Sequence, residues 1–275
     1  MRPTPPRPAY RAGARTFAFE HRAFARLDRR ARTLGEAAAL AVGVTALWVW
    51  ALPSVSRLWA RAFVALAGAL DLPAETVLRV HQVGGVEVGV PYWDLPAALP
   101  ETHHLLLAGV GVVVLFVATL FMTESWRPAA YLTRAALLVK VAAIGHFAVW
   151  PERFSYTLPD YLHSMVATGL AITVATPLVL GLTYYVQDLK LWQKAAFTAV
   201  ALGYSVVLVP LQYALHGIVL SAGSLLWMPV VYLFLGVPLH VFALVSLYAW
   251  AMSWPGRLPA LGVPAPRSAH HPELA

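Results

Sequence analysis

Six apolar runs constrain this chain more than any other feature. They lie at roughly residues 36–52, 104–122, 130–150, 162–185, 194–216 and 225–252. A helix crossing a bilayer needs about 20 predominantly apolar residues, and these runs sit close to that length. Composition points the same way. Residues of the hydrophobic class make up 59% of the 275 positions and charged residues only 12%, against about 25% charged in a soluble protein. With a mean hydropathy of +0.65, the chain could not cover its own surface in water. The sequence therefore predicts an all-α polytopic membrane protein with six transmembrane helices, and it leaves little length for a large soluble domain.

Charge predicts the threading. Residues 1–32 hold nine arginines against Glu20 and Asp28, which accounts for the whole net charge of +7. By the positive-inside rule this tail stays in the cytoplasm. Arg127, Lys190, Lys194 and Arg257 then fall on the same side, and an even number of spans brings the C-terminus back to it. The first apolar run follows too long a basic stretch for a cleavable leader and reads as an uncleaved signal anchor. The expected location is a bacterial-type inner membrane. A basic tail attracted to anionic lipid explains the high pI without nucleic acid as a partner.

Three regions follow. Residues 1–35 read as a cytoplasmic disordered tail plus a basic amphipathic helix over 15–34. There Phe17, Phe24, Leu27 and Leu34 share one side, while Arg15, Arg22, Arg26, Arg29 and Arg30 share the other. That pattern suits a helix lying on the anionic inner leaflet. Residues 36–252 form the six-span membrane domain, and 253–275 read as a disordered cytoplasmic tail. Between spans one and two, residues 53–103 form a periplasmic insertion with two expected elements. One is a short amphipathic helix whose face of Trp59, Phe63, Leu66 and Leu70 would lie on the outer leaflet. The other is a β-hairpin turning at Gly84-Gly85, where positive φ is needed. Pairing Val83 with Val86 sets Arg79 and His81 on one face with Val88 and Val90. An isolated hairpin is marginal in water, so this one is expected to lean on the membrane surface or on a partner.

The same threading collects polar residues at the outer boundary. His81, His103, His104, His146, His163 and His216 all map there, with Glu101, Glu152 and Asp160. Three readings compete for them. Histidine and tyrosine suit a membrane interface, being apolar bodies with polar tips, so the cluster could be a rim of independent groups. It could instead be a pocket in which His163, Glu152, His146 and His216 supply acid–base chemistry. Arg153, Lys140, Asp160, Tyr161 and Gln212 would then contact substrate. A third reading is a metal or haem site between helices, which requires histidines converging at one depth. No metal-binding spacing appears, so no metal ligand is assigned and the cofactor stays open. The short link between spans three and four predicts His146 and His163 side by side, with His216 approaching from the fifth span.

Lys140 is the sharper anomaly. It lies near the middle of the third run, where a charge is costly and usually faces a protein interior or a polar cavity. No acidic residue occupies the centre of any run. Expected neighbours are Tyr204, Gln212, Tyr232, a lipid phosphate, or a carbonyl freed by Pro177, Pro210 or Pro229. The alternative is an ammonium that snorkels toward the cytoplasm beside Arg134.

Several chemistries are excluded. Without cysteine there are no disulfides, thiolate nucleophiles or iron–sulfur ligands. Ser221 and Ser224 lack a nucleophile elbow, and no P-loop, Rossmann or EF-hand pattern is present. Three functions remain. The first is an envelope protein that binds or modifies a lipid-linked or exported glycan or lipid substrate at the periplasmic face. The second is a non-catalytic subunit docked to other membrane subunits. The third is a haem- or metal-bearing redox subunit. Whether the chain is an enzyme is left open.

Overall fold

The computed structural model describes residues 31–184 and 189–254. The proline-rich start, nearly all of the basic helix expected over 15–34 and the tail from 255 onward lie outside the described residues. The rest is mostly helical, with six helices long and apolar enough to cross a membrane and one small β-hairpin. In chain order the elements are α1 (Ala31–Ala69), β1 (Glu75–Val83), β2 (Val86–Asp94), α2 (Thr102–Leu120), α3 (Arg127–Val149), α4 (Leu158–Tyr184), α5 (Leu191–Ala222), α6 (Met228–Leu235) and α7 (Val237–Met252).

The first helix departs from the expected pattern. The first span and the separate amphipathic helix are one continuous α1 of 39 residues, with Pro53 inside it. Proline removes an N–H and ordinarily kinks or ends a helix. Here Leu52, Ser56, Trp59 and Phe63 follow at helical spacing and are all buried, so packing on both sides of Pro53 carries the helix through. Trp59 donates its indole N–H to the Val206 carbonyl of α5 at 2.9 Å. Trp59 and Phe63, expected on the outer leaflet, thus pack against the bundle, while Leu70 of the same expected face stays exposed.

The hairpin forms as the sequence predicts. Gly84 and Gly85 both take positive φ, 57° and 82°, and Val83 pairs with Val86. Its support differs from expectation, because it rests on its own chain and packs chiefly on α1 and α4. Val88, Val90, Tyr92 and Trp93 of β2 are buried. Ser56 donates to the Gly89 carbonyl, and Trp93 donates to the Phe63 carbonyl at 3.1 Å.

Helices α1, α4 and α5 pack together beneath the hairpin. Trp48 of α1 donates to Thr173 of α4 at 3.1 Å. Near the other end, a Cβ added to Gly181 would lie 2.3 Å from that of Ala41, so only glycine permits this approach of α4 to α1. The α2–α3 pair stands to one side and joins the bundle through α6. The last span is broken. α6 stops at Leu235, Gly236 adopts an extended ψ, and α7 restarts with Pro238 in its first turn.

Candidate functional site

Three polar arrangements occur toward the hairpin end. The first is a chamber at Lys140. From Ser224 onward the chain turns tightly: Trp227 N–H bonds the Ser224 carbonyl, and Met228 N–H bonds the Leu225 carbonyl. The next donor in that series would be residue 229, a proline without an N–H. The Leu226 carbonyl is thereby freed, and the Lys140 ammonium donates to it at 3.0 Å. The Trp227 ring lies 3.6 Å from the same nitrogen. A carbonyl freed by Pro229 was among the expected neighbours. Tyr204, Gln212 and Tyr232 contribute no hydrogen bond to Lys140.

Lys140 is only 4% exposed and lines a cavity of about 520 Å³ between α2, α3 and α6. The cavity is polarised. α2 and α3 run antiparallel from a shared turn, which puts Lys140 level with Leu107 and Ala108, and His104 nearer the hairpin end. His104, Lys140 and Ser224 form this upper end. Gly111, Leu115, Ala136 and Phe234 line the deeper part, which is apolar apart from Thr133. Among the described residues α2 packs chiefly along α3, and the chamber's lining residues Leu107 and Leu115 are 68% and 52% exposed, so the chamber is not sealed. The outward side of α2 is apolar as well, with Leu106, Val110, Val113 and Val114 all exposed.

The second arrangement joins the hairpin to α4. Arg79 and His81 are two apart on β1, and Asp160 and His163 are three apart on α4. Strand and helix periodicity each put the pair on one face. Arg79 Nη2 meets Asp160 Oδ1 at 2.9 Å, and Arg79 Nε donates to the Tyr92 hydroxyl at 3.0 Å. The hydrogen bond to Asp160 holds the Arg79 guanidinium above its ordinary pKa. Thr157 donates to the other oxygen of Asp160 at 2.7 Å. The Nε2 atoms of His81 and His163 are 2.8 Å apart, with ring centroids 5.0 Å apart and planes 23° from parallel. The nitrogens are closer than the centroids by about twice the radius of an imidazole, so the rings meet end to end. That geometry suits one shared hydrogen rather than two ligands on one metal.

The third arrangement is buried between α4, α5 and the break in the last span. His216 Nε2 lies 3.0 Å from the Leu235 carbonyl, which can only accept, so this nitrogen carries the hydrogen. Its Nδ1 then accepts from the Tyr161 hydroxyl at 3.1 Å. Gln212, one turn earlier, donates to the Leu235 carbonyl and to that of Gly236 at 3.1 Å. These residues satisfy carbonyls that the break at Gly236 exposes.

The expected site residues are therefore dispersed. His163 and His216 occupy different clusters, because Tyr161 and not His163 faces α5; two residues along a helix turn the side chain by about 200°. His146 is on α3, which pairs with α2 and α6 and not along α4. The eight residues 150–157 can span about 26 Å, so a short link does not hold their histidines together. His146 instead packs on Phe147 and Phe154, and its Nε2 is buried without a partner. Glu152 and Arg153 are exposed in the turn Pro151–Arg153, and Arg153 lies over Trp150. The strand face of Arg79 and His81 was legible, but its meeting with α4 was not. Trp227 and Ser224 carried no sequence signal beyond their nearness to Pro229.

Among the described residues no three His, Asp or Glu side chains are placed to hold a metal ion. No known family model, no curated protein and no solved structure matches this chain.

Proposed function

We propose that this is an inner-membrane protein of the cell envelope that binds a lipid or lipid-linked substrate on the membrane face bearing the hairpin. The observation that carries this reading is the chamber between α2, α3 and α6. Its polar groups lie toward the hairpin, its apolar walls run deeper, and part of its α2 wall, Leu107 and Leu115, is exposed. A lipid of the hairpin-side leaflet has the same polarity along the membrane normal. The hairpin face is periplasmic on this reading and both termini are cytoplasmic. The arginine-rich residues 1–32 support that orientation, as do Arg127 and Lys190 in turns away from the hairpin.

Native mass spectrometry of the purified protein tests the proposal. One lipid or lipid-linked molecule should survive transfer on the wild type and be lost from Gly111→Trp, which fills the chamber. An unliganded wild type would sink the reading. Reporter fusions at residues 95, 156 and 275 should report outside, outside and inside.

One observation favours a second reading, a subunit of a larger complex. Leu78 and Val80 stand two apart on β1 and are 54% and 66% exposed, a small apolar face that a partner could cover. Co-purification of one stoichiometric partner, lost in Leu78→Glu, would favour it.

A further inference from the structure

Resting on the lipid-binding reading, we infer that the bound lipid buries a single negative charge beside Lys140, so that its headgroup is a mono-anionic oxyanion such as a phosphodiester. Lys140 is buried on a spanning helix, and its two observed contacts are neutral, the Leu226 carbonyl and the Trp227 ring face. Both stabilise an ammonium, but neither neutralises it. No aspartate or glutamate lines the chamber. Among the described residues no counter-charge stands at this place, where an uncompensated charge is costly, and a ligand anion supplies it.

The rest of the polar end fits an acceptor. His104 Nδ1 accepts the Glu101 backbone N–H at 3.2 Å, so in the neutral ring the hydrogen sits on Nε2. Lys140, which has N–H groups to spare, the His104 Nε2–H and the Ser224 hydroxyl are donors that an oxyanion accepts from. A sugar hydroxyl can accept from the same donors but brings no charge to offset Lys140. One cation matches one charge, and a diphosphate would leave further negative charge buried and unpaired. The tail extends past Gly111 and Ala136 toward Leu115 and Phe234.

The test is competition in native mass spectrometry between phosphatidylglycerol, phosphatidylethanolamine, a prenyl phosphodiester sugar and a prenyl diphosphate. The wild type should retain one mono-anionic phosphodiester at least about tenfold over the zwitterion and the diphosphate, since a tenfold ratio needs only about one buried charge contact. Whether the phospholipid or the prenyl form dominates identifies the source. Lys140→Gln should still retain lipid but lose the preference, and Lys140→Arg should keep most of it. A wild-type preference in Lys140→Gln, or equal retention of zwitterion or diphosphate by the wild type, overturns the assignment of charge while leaving the lipid site intact. Lipid that persists in Gly111→Trp is annular and overturns both. Thermal melting of each variant confirms folding, and Lys140→Met repeats the test should Lys140→Gln misfold.

Discussion

His81 of β1 and His163 of α4 share one hydrogen across 2.8 Å, and beside them Arg79 and Asp160 form an ion pair at 2.9 Å. The hairpin is pinned to α4 by one contact that needs a neutral ring and another that needs a carboxylate.

Acid should loosen this junction. One imidazole must accept, so the contact exists only while at least one ring lacks its second proton. Free histidine protonates near pH 6.5. The groups facing the pair are Arg79 on β1, Tyr92 on β2 and Asp160 on α4, and Arg79 further opposes a second positive charge. The contact is thus present while one ring stays neutral and is lost when acid protonates both, which loosens this junction while the buried face of β2 still holds the hairpin. With rates corrected for the slower intrinsic exchange in acid, protection across residues 75–94 should fall at pH 5 relative to pH 7.5, and His81→Phe should abolish the difference. Identical protection at both values would refute the shared hydrogen.

The charges around the junction should matter little to stability. Arg79 and Asp160 are each nearly half exposed, and exposed pairs contribute about 0–1 kcal/mol. Arg79→Met and Asp160→Asn should shift unfolding by no more than that. Glu152→Ala and Arg153→Ala, in an exposed turn, should be silent. Losses well above 1 kcal/mol would show that these groups act as a unit.

The crossing of α1 and α4 should be intolerant of any side chain at residue 181. Gly181→Val places its Cβ against Ala41, and overpacking of this kind costs about 1–3 kcal/mol. Gly43 on the same helix α1 has nothing within 4 Å of an added Cβ. Gly43→Ala should be neutral or stabilising by up to about 1 kcal/mol. Equal melting shifts for the two variants would contradict the packing.

Replacing Lys140 by leucine sets two effects against each other. A lysine at the centre of a spanning helix costs about 2.5–3.5 kcal/mol on insertion scales, and its removal recovers part of that. Orphaning the Leu226 carbonyl costs about 1–3 kcal/mol. The charge is the larger quantity, so ligand-free Lys140→Leu should melt at or slightly above the wild type. A loss above about 2 kcal/mol in a detergent melt would mean that Lys140 mainly holds the turn before α6.

Local patterns in the chain announced the hairpin and its register, because Gly84-Gly85 and the flanking valines encode them over short range. They also announced six spans, and a proline-freed carbonyl was one of several neighbours expected for Lys140. They misplaced Trp59 and Phe63 for a definite reason. Lipid and protein interior are both apolar, so an apolar helix face does not reveal which of the two it meets. The expected end of the first span at residue 52 does not occur, because packing on both sides of Pro53 carries the helix through. His146, His163 and His216 each have different partners, and depth in a membrane, which grouped them in the sequence, fixes only one coordinate. Which face of α4 meets α5, and that α3 turns away toward α6, depend on contacts between elements far apart in sequence.

The length of α1 sets the reach of the molecule. Its 39 residues make a rod of about 58 Å at 1.5 Å per residue, against a hydrocarbon core of about 30 Å. Even the steepest common tilt, about 40°, leaves it some 44 Å tall. A fixed part of α1 must therefore stand clear of the oily layer, acting as a mast stiffened by β2. The hairpin packs on this same helix, so its position is fixed to that of the first span through one continuous backbone.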